Sequence, residues 1–187
     1  MNTYGLVGIA TVALLGCGGG EKKVGKVEQP GGGPAPKAEP PHTGPDSWAG
    51  WQSWQKVSIE KWPSKTHGGR FVEVHVNDVG LEAYMAGDET EMPVGSIVIK
   101  PSWENEGGQP GAEGPVFIME KKAAGFAPDS GDWFYAFQWD DPTGEWKQKL
   151  GGPVKWQSPS DKVTYCVDCH DSYDRQLGGV PQDKRAW

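Results

Sequence analysis

The sequence predicts an α+β fold whose main element is an antiparallel β-sheet, together with an N-terminal helix and further short helices. Three observations support this prediction. Several segments have the length and the apolar pattern of β-strands. The segments between them are rich in Gly, Asn, Asp and Pro, which is typical of antiparallel meanders. Two strand segments carry apolar residues on both faces, so both faces of the sheet are expected to be covered.

The first 17 residues have the features of a bacterial lipoprotein signal peptide. Residues 6–16 form an apolar run that is too short to cross a bilayer as a stop-transfer helix. The run ends in LLGC, which resembles a lipobox with Cys17 as the acylated residue, although no Lys or Arg precedes it. An ordinary signal peptide with an incidental cysteine is the alternative. We therefore expect a protein of the bacterial cell envelope, anchored to a membrane by lipid on Cys17 and facing the periplasm.

Residues 18–45 separate the signal peptide from the folded domain. They contain 8 Gly and 6 Pro among 28 residues and offer almost nothing to bury, which predicts a disordered tether. His42 lies in this tether and is not expected to bind a metal. Residues 46–187 have the length of one domain and contain all ten Trp of the chain. The net charge of −7 argues against a nucleic-acid partner.

The elements of the domain follow from its apolar patterns. Three Trp at three-residue spacing predict an amphipathic helix over residues 47–61, ended by Pro63. Alternating segments predict strands at 71–77 and 95–103, with a short helix near 80–86 between them.

Alternation also assigns side chains to the faces of the sheet. In the strand at 95–103, Ile97 and Ile99 share one face, while Val98 and Lys100 share the other. The strand patterns at 115–122 and 132–139 are the two that are apolar on both faces. One cover of the sheet could be the helical layer, and the other could be a cofactor. The last strand carries Trp133, Tyr135, Phe137 and Trp139 on one side and Phe134 and Ala136 on the other.

The motif CVDCH, residues 166–170, carries the clearest chemical signal. Two thiols separated by two residues can form thioethers with the two vinyl groups of haem, and the next residue then places its imidazole under the iron. Cys166, Cys169 and His170 fit this pattern. A zinc site would need a second pair of Cys or His ligands, a thioredoxin-like motif would need a βαβ unit and a helix start, and a structural disulfide would not need His170. The sequence therefore predicts a covalent haem c, with His170 as an axial ligand of the iron.

The group that fills the sixth coordination position of the iron distinguishes between two functions, electron transfer and the binding of a small molecule. An electron-transfer cytochrome would fill it with Met or His, and the candidates in the domain are His67, His75, Met85, Met92 and Met119. No motif directs any of them to the iron; His67 has the pattern of a turn residue and His75 that of a hydrogen-bonded histidine. We therefore expect an open position that binds or activates a small molecule.

Several segments resemble the cytochrome P-460 family, which also contains the cytochromes c′-beta. They are HGGRFVEVHVND, EMPVGSIVIKPSWE, VFIMEKKAAGFAPDSGDWFYAF and the final CxxCH motif, and the similarity covers about residues 47–175. The resemblance implies a homodimer with a predominantly antiparallel β fold. It also implies a five-coordinate haem whose proximal ligand is the histidine of the motif.

The two branches of this family imply different activities. In the P-460 branch a lysine at the position of Lys100 bonds to a meso carbon of the porphyrin, and the protein oxidises hydroxylamine to products at the level of nitrous oxide or nitrite. The resemblance places an acidic distal base in the loop before the haem motif, where Asp161 is the only carboxylate, and it brings Arg70 and Phe71 towards the distal side. An oxidase of this kind would pass electrons to a periplasmic electron-transfer cytochrome. In the c′-beta branch the cross-link is missing and an apolar pocket binds nitric oxide.

Overall fold

The structure is a computed structural model that describes residues 45–87 and 89–187. The predicted signal peptide with Cys17 and nearly all of the tether, including His42, lie outside the described residues. Within the described part of the chain, no helix has the length and apolar character needed to cross a membrane.

An antiparallel β-sheet of eight strands forms the body of the domain. The strands from β1 to β8 are, in order, Gln55–Lys56, Trp62–Pro63, Phe71–Val72, His75–Val76, Ile97–Glu106, Gln109–Lys121, Trp133–Trp139 and Val154–Gln157. The sheet order is β1-β4-β5-β6-β7-β8, and β2 joins through β3, which also pairs with β5. Within the described ranges, three short α-helices accompany it: α1 Asp78–Ala86, α2 Gly144–Leu150 and α3 Thr164–His170. The predicted class, mainly antiparallel sheet with short helices, is therefore confirmed.

The predicted helix over residues 47–61 was wrong. The structure has two short 3₁₀ helices there, Pro45–Trp48 and Trp51–Ser53, followed by β1. Gly50 between them adopts a φ of 75°, in the left-handed region that ends a helix. The residues of β1 then pair with β4, a long-range contact that the local spacing of the three Trp does not reveal.

The strand predicted at 71–77 is divided into β3 and β4. Both pair with β5 in one register, in which Phe71 lies opposite Trp103 and His75 opposite Ile99. That register sets Glu73 opposite Pro101, which has no backbone N–H to donate to the ladder. A single long bond of 3.4 Å from the Glu73 N–H to the Pro101 carbonyl remains at this point. The proline on β5 thus interrupts the pairing without shifting the register.

The two faces of the central strands have separate cores, as alternation predicted. Ile97 and Ile99 belong to one core, which Trp48 covers by stacking on Phe134 at 6.0 Å between ring centres. Val98 belongs to the other core, so both faces of the sheet are covered. The first core also contains Ile118 and Ala136, and the second contains Met119, Trp133, Tyr135, Phe137, Trp139, Val163 and Leu177 among others.

Candidate functional site

Helix α3 carries the CVDCH motif. Ser160 caps the turn that leads into it by accepting a hydrogen bond from the Lys162 N–H. Cys166 and Cys169 are three residues apart on the helix, so both thiols lie on the same side of it. Both are half-buried free thiols, and His170 is the last residue of the helix.

The sequence did not lead us to expect a helix start at this motif, and this was wrong, since a helix begins at Thr164 just before Cys166. The chemistry of the Cys166 thiol nevertheless differs from that of a thioredoxin-like site. Burial raises the pKa of Cys166 to about 11, whereas reactive thiols in redox motifs have a lowered pKa. The CxxC pair therefore fits a structural attachment point better than a thiol–disulfide centre.

His170 has a fixed ring orientation. Its Nδ1 lies 2.5 Å from the Gln176 carbonyl oxygen, so Nδ1 carries the proton and Nε2 keeps its lone pair. The loop that supplies this carbonyl is anchored by a 3.1 Å hydrogen bond from Trp133 Nε1 to the Arg175 carbonyl. Burial lowers the pKa of His170 to about 4, which keeps the imidazole neutral. A neutral imidazole with a free, oriented Nε2 is the form that binds a metal.

A cavity of about 960 Å³ lies between this motif and one face of the sheet. Cys166, Cys169 and His170 all line it. Its sheet wall includes Phe117 and Phe137, whose ring centres are 5.6 Å apart, and Trp156, which stacks on Phe137 at 4.9 Å. The cavity is therefore large, and its wall offers a broad aromatic surface.

Lys100 lies in the same cavity, on the sheet face that alternation assigned to it. It is opposite Phe117 in the pairing of β5 with β6. Burial lowers the pKa of its amine to about 8, although the nearby Cys169 acts in the opposite direction. The neutral and hence nucleophilic form of the amine is therefore more populated near neutral pH than in a solvated lysine. Whether this amine bonds to a cofactor stays a prediction.

His67, which the sequence pattern assigned to a turn, also lines the cavity. The turn folds over the sheet, so that the His67 ring centre lies 4.9 Å from that of Phe117 and 6.4 Å from that of His170. Burial, together with the neighbouring Lys100 and His170, lowers the pKa of His67 to about 2. No local sequence signal reports this position, because it depends on how the turn packs against distant strands.

Arg70 and its partner Glu104 form one charged part of the cavity wall. Arg70 Nη1 lies 2.7 Å from Glu104 Oε1, and the guanidinium lies over the rings of Trp139 and Trp146 at 5.0 and 5.5 Å. Arg70 and Glu104 both line the cavity. Phe71, which the resemblance also directed to this side, is not among the described lining residues; it lies in β3, opposite Trp103.

Asp161 is not placed as a distal base. It starts the 3₁₀ helix Asp161–Val163, is exposed, and does not belong to the described lining of the cavity. Its position in the chain, close to the haem motif, suggested the role, but the turn directs it to solvent. The carboxylates that do line the cavity are Glu104 and Glu145.

The other candidates for the sixth position fall into two groups. Met119 lines the cavity, on the same face as Val98. His75 is buried elsewhere, with Nε2 at 3.0 Å from Glu73 Oε1 and Nδ1 at 3.4 Å from the Trp54 carbonyl, as expected for a hydrogen-bonded histidine. Met85 and Met92 are outside the described lining of the cavity.

The residues present fit a haem. The cavity has the size for a large flat group, two thiols and a free imidazole nitrogen line it, and aromatic rings form its wall. The Tyr135 hydroxyl, on a side chain that is 2% exposed, has no hydrogen-bond partner among the described residues and lines the same cavity. Buried hydroxyls are normally paired, so this one suits a polar group of a bound molecule. A zinc site is not supported, because the described residues hold no group of three or more His, Cys, Asp or Glu arranged for a metal ion.

Comparison with known proteins agrees with this geometry. The family model described as Cytochrome P460 matches residues 48–176, more than half of the chain and nearly all of the described domain. A comparison with curated proteins found no match.

Proposed function

Because the chain belongs to the cytochrome P460 family and is thereby a c-type haem protein, we propose that it is a haem oxidoreductase that oxidises hydroxylamine or converts nitric oxide. In this proposal Cys166 and Cys169 hold the haem by thioethers, and His170 Nε2 is the proximal ligand. When bound there, the haem supplies a redox-active iron that binds small nitrogen compounds.

The observation that carries the proposal is the position of Lys100. Its amine is buried in the cavity that Cys169 and His170 also line, and its pKa of about 8 reflects that burial. An ammonium group in such a place is costly to desolvate, and a lysine on a strand normally extends its amine into water instead. In its neutral form, this amine would be placed to bond to the edge of a haem held by Cys166, Cys169 and His170.

The bond we propose joins Lys100 Nζ to a meso carbon of the porphyrin. In forming this bond with a bound haem, the amine would lose one proton and the meso carbon another, and these two protons and the two electrons released would reduce one hydrogen peroxide to two waters. The cross-link would fix the position of the ring and alter its electronics. These are the properties by which an oxidase of hydroxylamine would differ from a simple ligand-binding haem protein.

A second candidate function is nitric oxide binding, as in the cytochromes c′-beta. The aromatic wall formed by Phe117, Phe137 and Trp156 favours it, because an apolar surface accepts a neutral diatomic molecule without hydrogen bonding. This function needs no bond from Lys100. The two candidate functions therefore differ in whether Lys100 bonds to the haem.

Three further properties complete the proposal and rest on the sequence. The N-terminal motif supports a lipid anchor on Cys17 that holds the domain at a membrane on the periplasmic side. The family resemblance supports a homodimer. Oxidation of hydroxylamine requires an electron acceptor, for which we propose a periplasmic electron-transfer cytochrome.

The test replaces Lys100 by Ala and compares optical spectra and hydroxylamine oxidation of the holoproteins. We expect the variant to lose a red-shifted haem spectrum and most of its hydroxylamine oxidation, while nitric oxide binding remains. Lys122→Ala is the matched control, because Lys122 is a buried lysine that pairs with Glu120 at 2.7 Å and lies beside Phe134, on the other face of the sheet. Equal spectra for wild type and Lys100→Ala would refute the cross-link and favour the nitric oxide binder.

A further inference from the structure

His67 and His170 are neighbours in the cavity although they are far apart in the chain. Their ring centres are 6.4 Å apart and their planes meet at 76°. They come from different elements: His67 ends the 3₁₀ helix Lys65–His67, and His170 ends α3. Both line the cavity that also holds the two thiols.

The hydrogen bonds of both rings use the same nitrogen. Nδ1 of His170 lies against the Gln176 carbonyl, and Nδ1 of His67 lies 2.8 Å from Ser64 Oγ. When the hydroxyl accepts the proton of Nδ1, Nε2 of His67 has its lone pair free. Each ring therefore has the partner arrangement that orients a metal-binding histidine through its second nitrogen.

The spacing of the two rings matches two ligands on one metal. A metal–imidazole bond of about 2 Å on each side, plus roughly 1 Å from each nitrogen to its ring centre, separates two axial imidazoles by about 6 Å. The observed separation of 6.4 Å agrees with this value. Both planes contain the ligand axis in that arrangement, so an angle of 76° between them is compatible with it. The same spacing leaves no room for a further ligand between His67 and an iron bound to His170.

We propose that His67 is the second axial ligand of the haem iron in the resting protein, opposite His170, and that a small ligand binds only after His67 has left. The inference rests on the proposed function, because it requires a haem held at His170. It changes one expectation: the sixth position is open to nitrogen compounds only after His67 leaves it.

The turn that carries His67 suits a ligand that can leave. Its hydrogen bonds are largely internal: the Ser64 carbonyl accepts from the N–H groups of His67 at 3.2 Å and Gly69 at 3.0 Å. Gly68 and Gly69 both have a φ near 70°, a conformation that few other residues adopt. The turn is therefore a small closed unit at the cavity, and moving it breaks few bonds to the sheet.

The first test is the spin state of the iron in the purified holoprotein, measured by optical and electron paramagnetic resonance spectroscopy. We expect a low-spin iron with two nitrogen ligands in the wild type and a high-spin iron in His67→Ala. Added imidazole should restore the low-spin state in His67→Ala by occupying the space of the lost ring. His75→Ala and Met119→Leu are the controls, and both should stay low-spin. His75 lies outside the cavity, and Met119, although it lines the cavity, is not the ligand in this proposal.

The second test is the rate at which carbon monoxide binds the ferrous protein. If His67 must leave first, the wild-type rate should level off as the carbon monoxide concentration rises, whereas the rate of His67→Ala should rise linearly. A high-spin wild type, a low-spin His67→Ala without added imidazole, or a linear wild-type rate would each overturn the proposal. Haem staining of the denatured protein distinguishes the two proposals. A chain without covalent haem would refute the proposed function, whereas a chain with covalent haem and a high-spin iron would refute only the role of His67.

Discussion

The ion pair between Arg70 and Glu104 gives a prediction whose size follows from the structure. The two side chains meet at 2.7 Å, and they are 9% and 29% exposed. The guanidinium also packs against two neighbouring indole rings, with its carbon 5.0 Å from the ring centre of Trp139 and 5.5 Å from that of Trp146. Replacing Glu104 by Gln removes the countercharge with little change of shape and leaves Arg70 largely buried without it.

The expected magnitude lies between those of buried and exposed pairs. Removing one partner of a fully buried pair costs about 3–5 kcal/mol, and an exposed pair contributes about 0–1 kcal/mol. Because Glu104 is partly exposed, we expect a coupling free energy of about 1–3 kcal/mol. The double variant Arg70→Met/Glu104→Gln should therefore be less destabilised than the sum of the two single variants.

The assay is a double-mutant cycle, with the free energy of unfolding of each holoprotein measured in urea. The matched control cycle uses Lys149 and Glu145, which meet at 2.9 Å on α2 but are 56% and 69% exposed. That pair should couple by only about 0.3–0.5 kcal/mol. A coupling for Arg70 and Glu104 no larger than that of the control would refute the reasoning, because it would mean that burial does not strengthen the pair.

Three further predictions concern other positions. Gly114→Ala should destabilise the protein by about 1–3 kcal/mol, because the added Cβ would lie 2.7 Å from both Arg70 Nη1 and Ser102 Oγ; an effect that is unchanged in an Arg70→Met/Ser102→Ala background would contradict this cause. Asp161→Asn should leave hydroxylamine turnover unchanged, because Asp161 is exposed outside the cavity; slower turnover with normal hydroxylamine binding would restore it as a base. Cys17→Ser should release the haem domain into the soluble fraction, and a wild-type protein that is already soluble would contradict the lipid anchor.

The features that could be predicted from the sequence are those set by local chemistry. Alternation over residues 97–100 of β5 placed Lys100 on the same face as Val98, because a strand turns every second side chain to the same side. The CVDCH motif pointed to a haem because thioether formation and axial ligation need those residue types at that spacing. Neither inference depended on long-range packing.

The features that were missed depend on contacts between distant segments. The three Trp near the N-terminus have helical spacing, but Gly50 and the pairing of Gln55 with Val76 impose a different conformation. His67 has the local pattern of a turn residue, and only packing against Phe117 brings it to the haem motif. Nearness in sequence was a poor guide for Asp161, since one turn of 3₁₀ helix directs it away from the cavity.

Peptide mass mapping of the native, proteolysed protein tests the central claim most directly. The account predicts that the haem remains bound to the peptide that contains Cys166 and Cys169, and that the peptide containing Lys100 is joined to the same haem. Recovery of the Lys100 peptide free of haem would contradict the cross-link on which hydroxylamine oxidation is proposed. Recovery of the peptide with both cysteines unmodified would contradict the covalent haem itself.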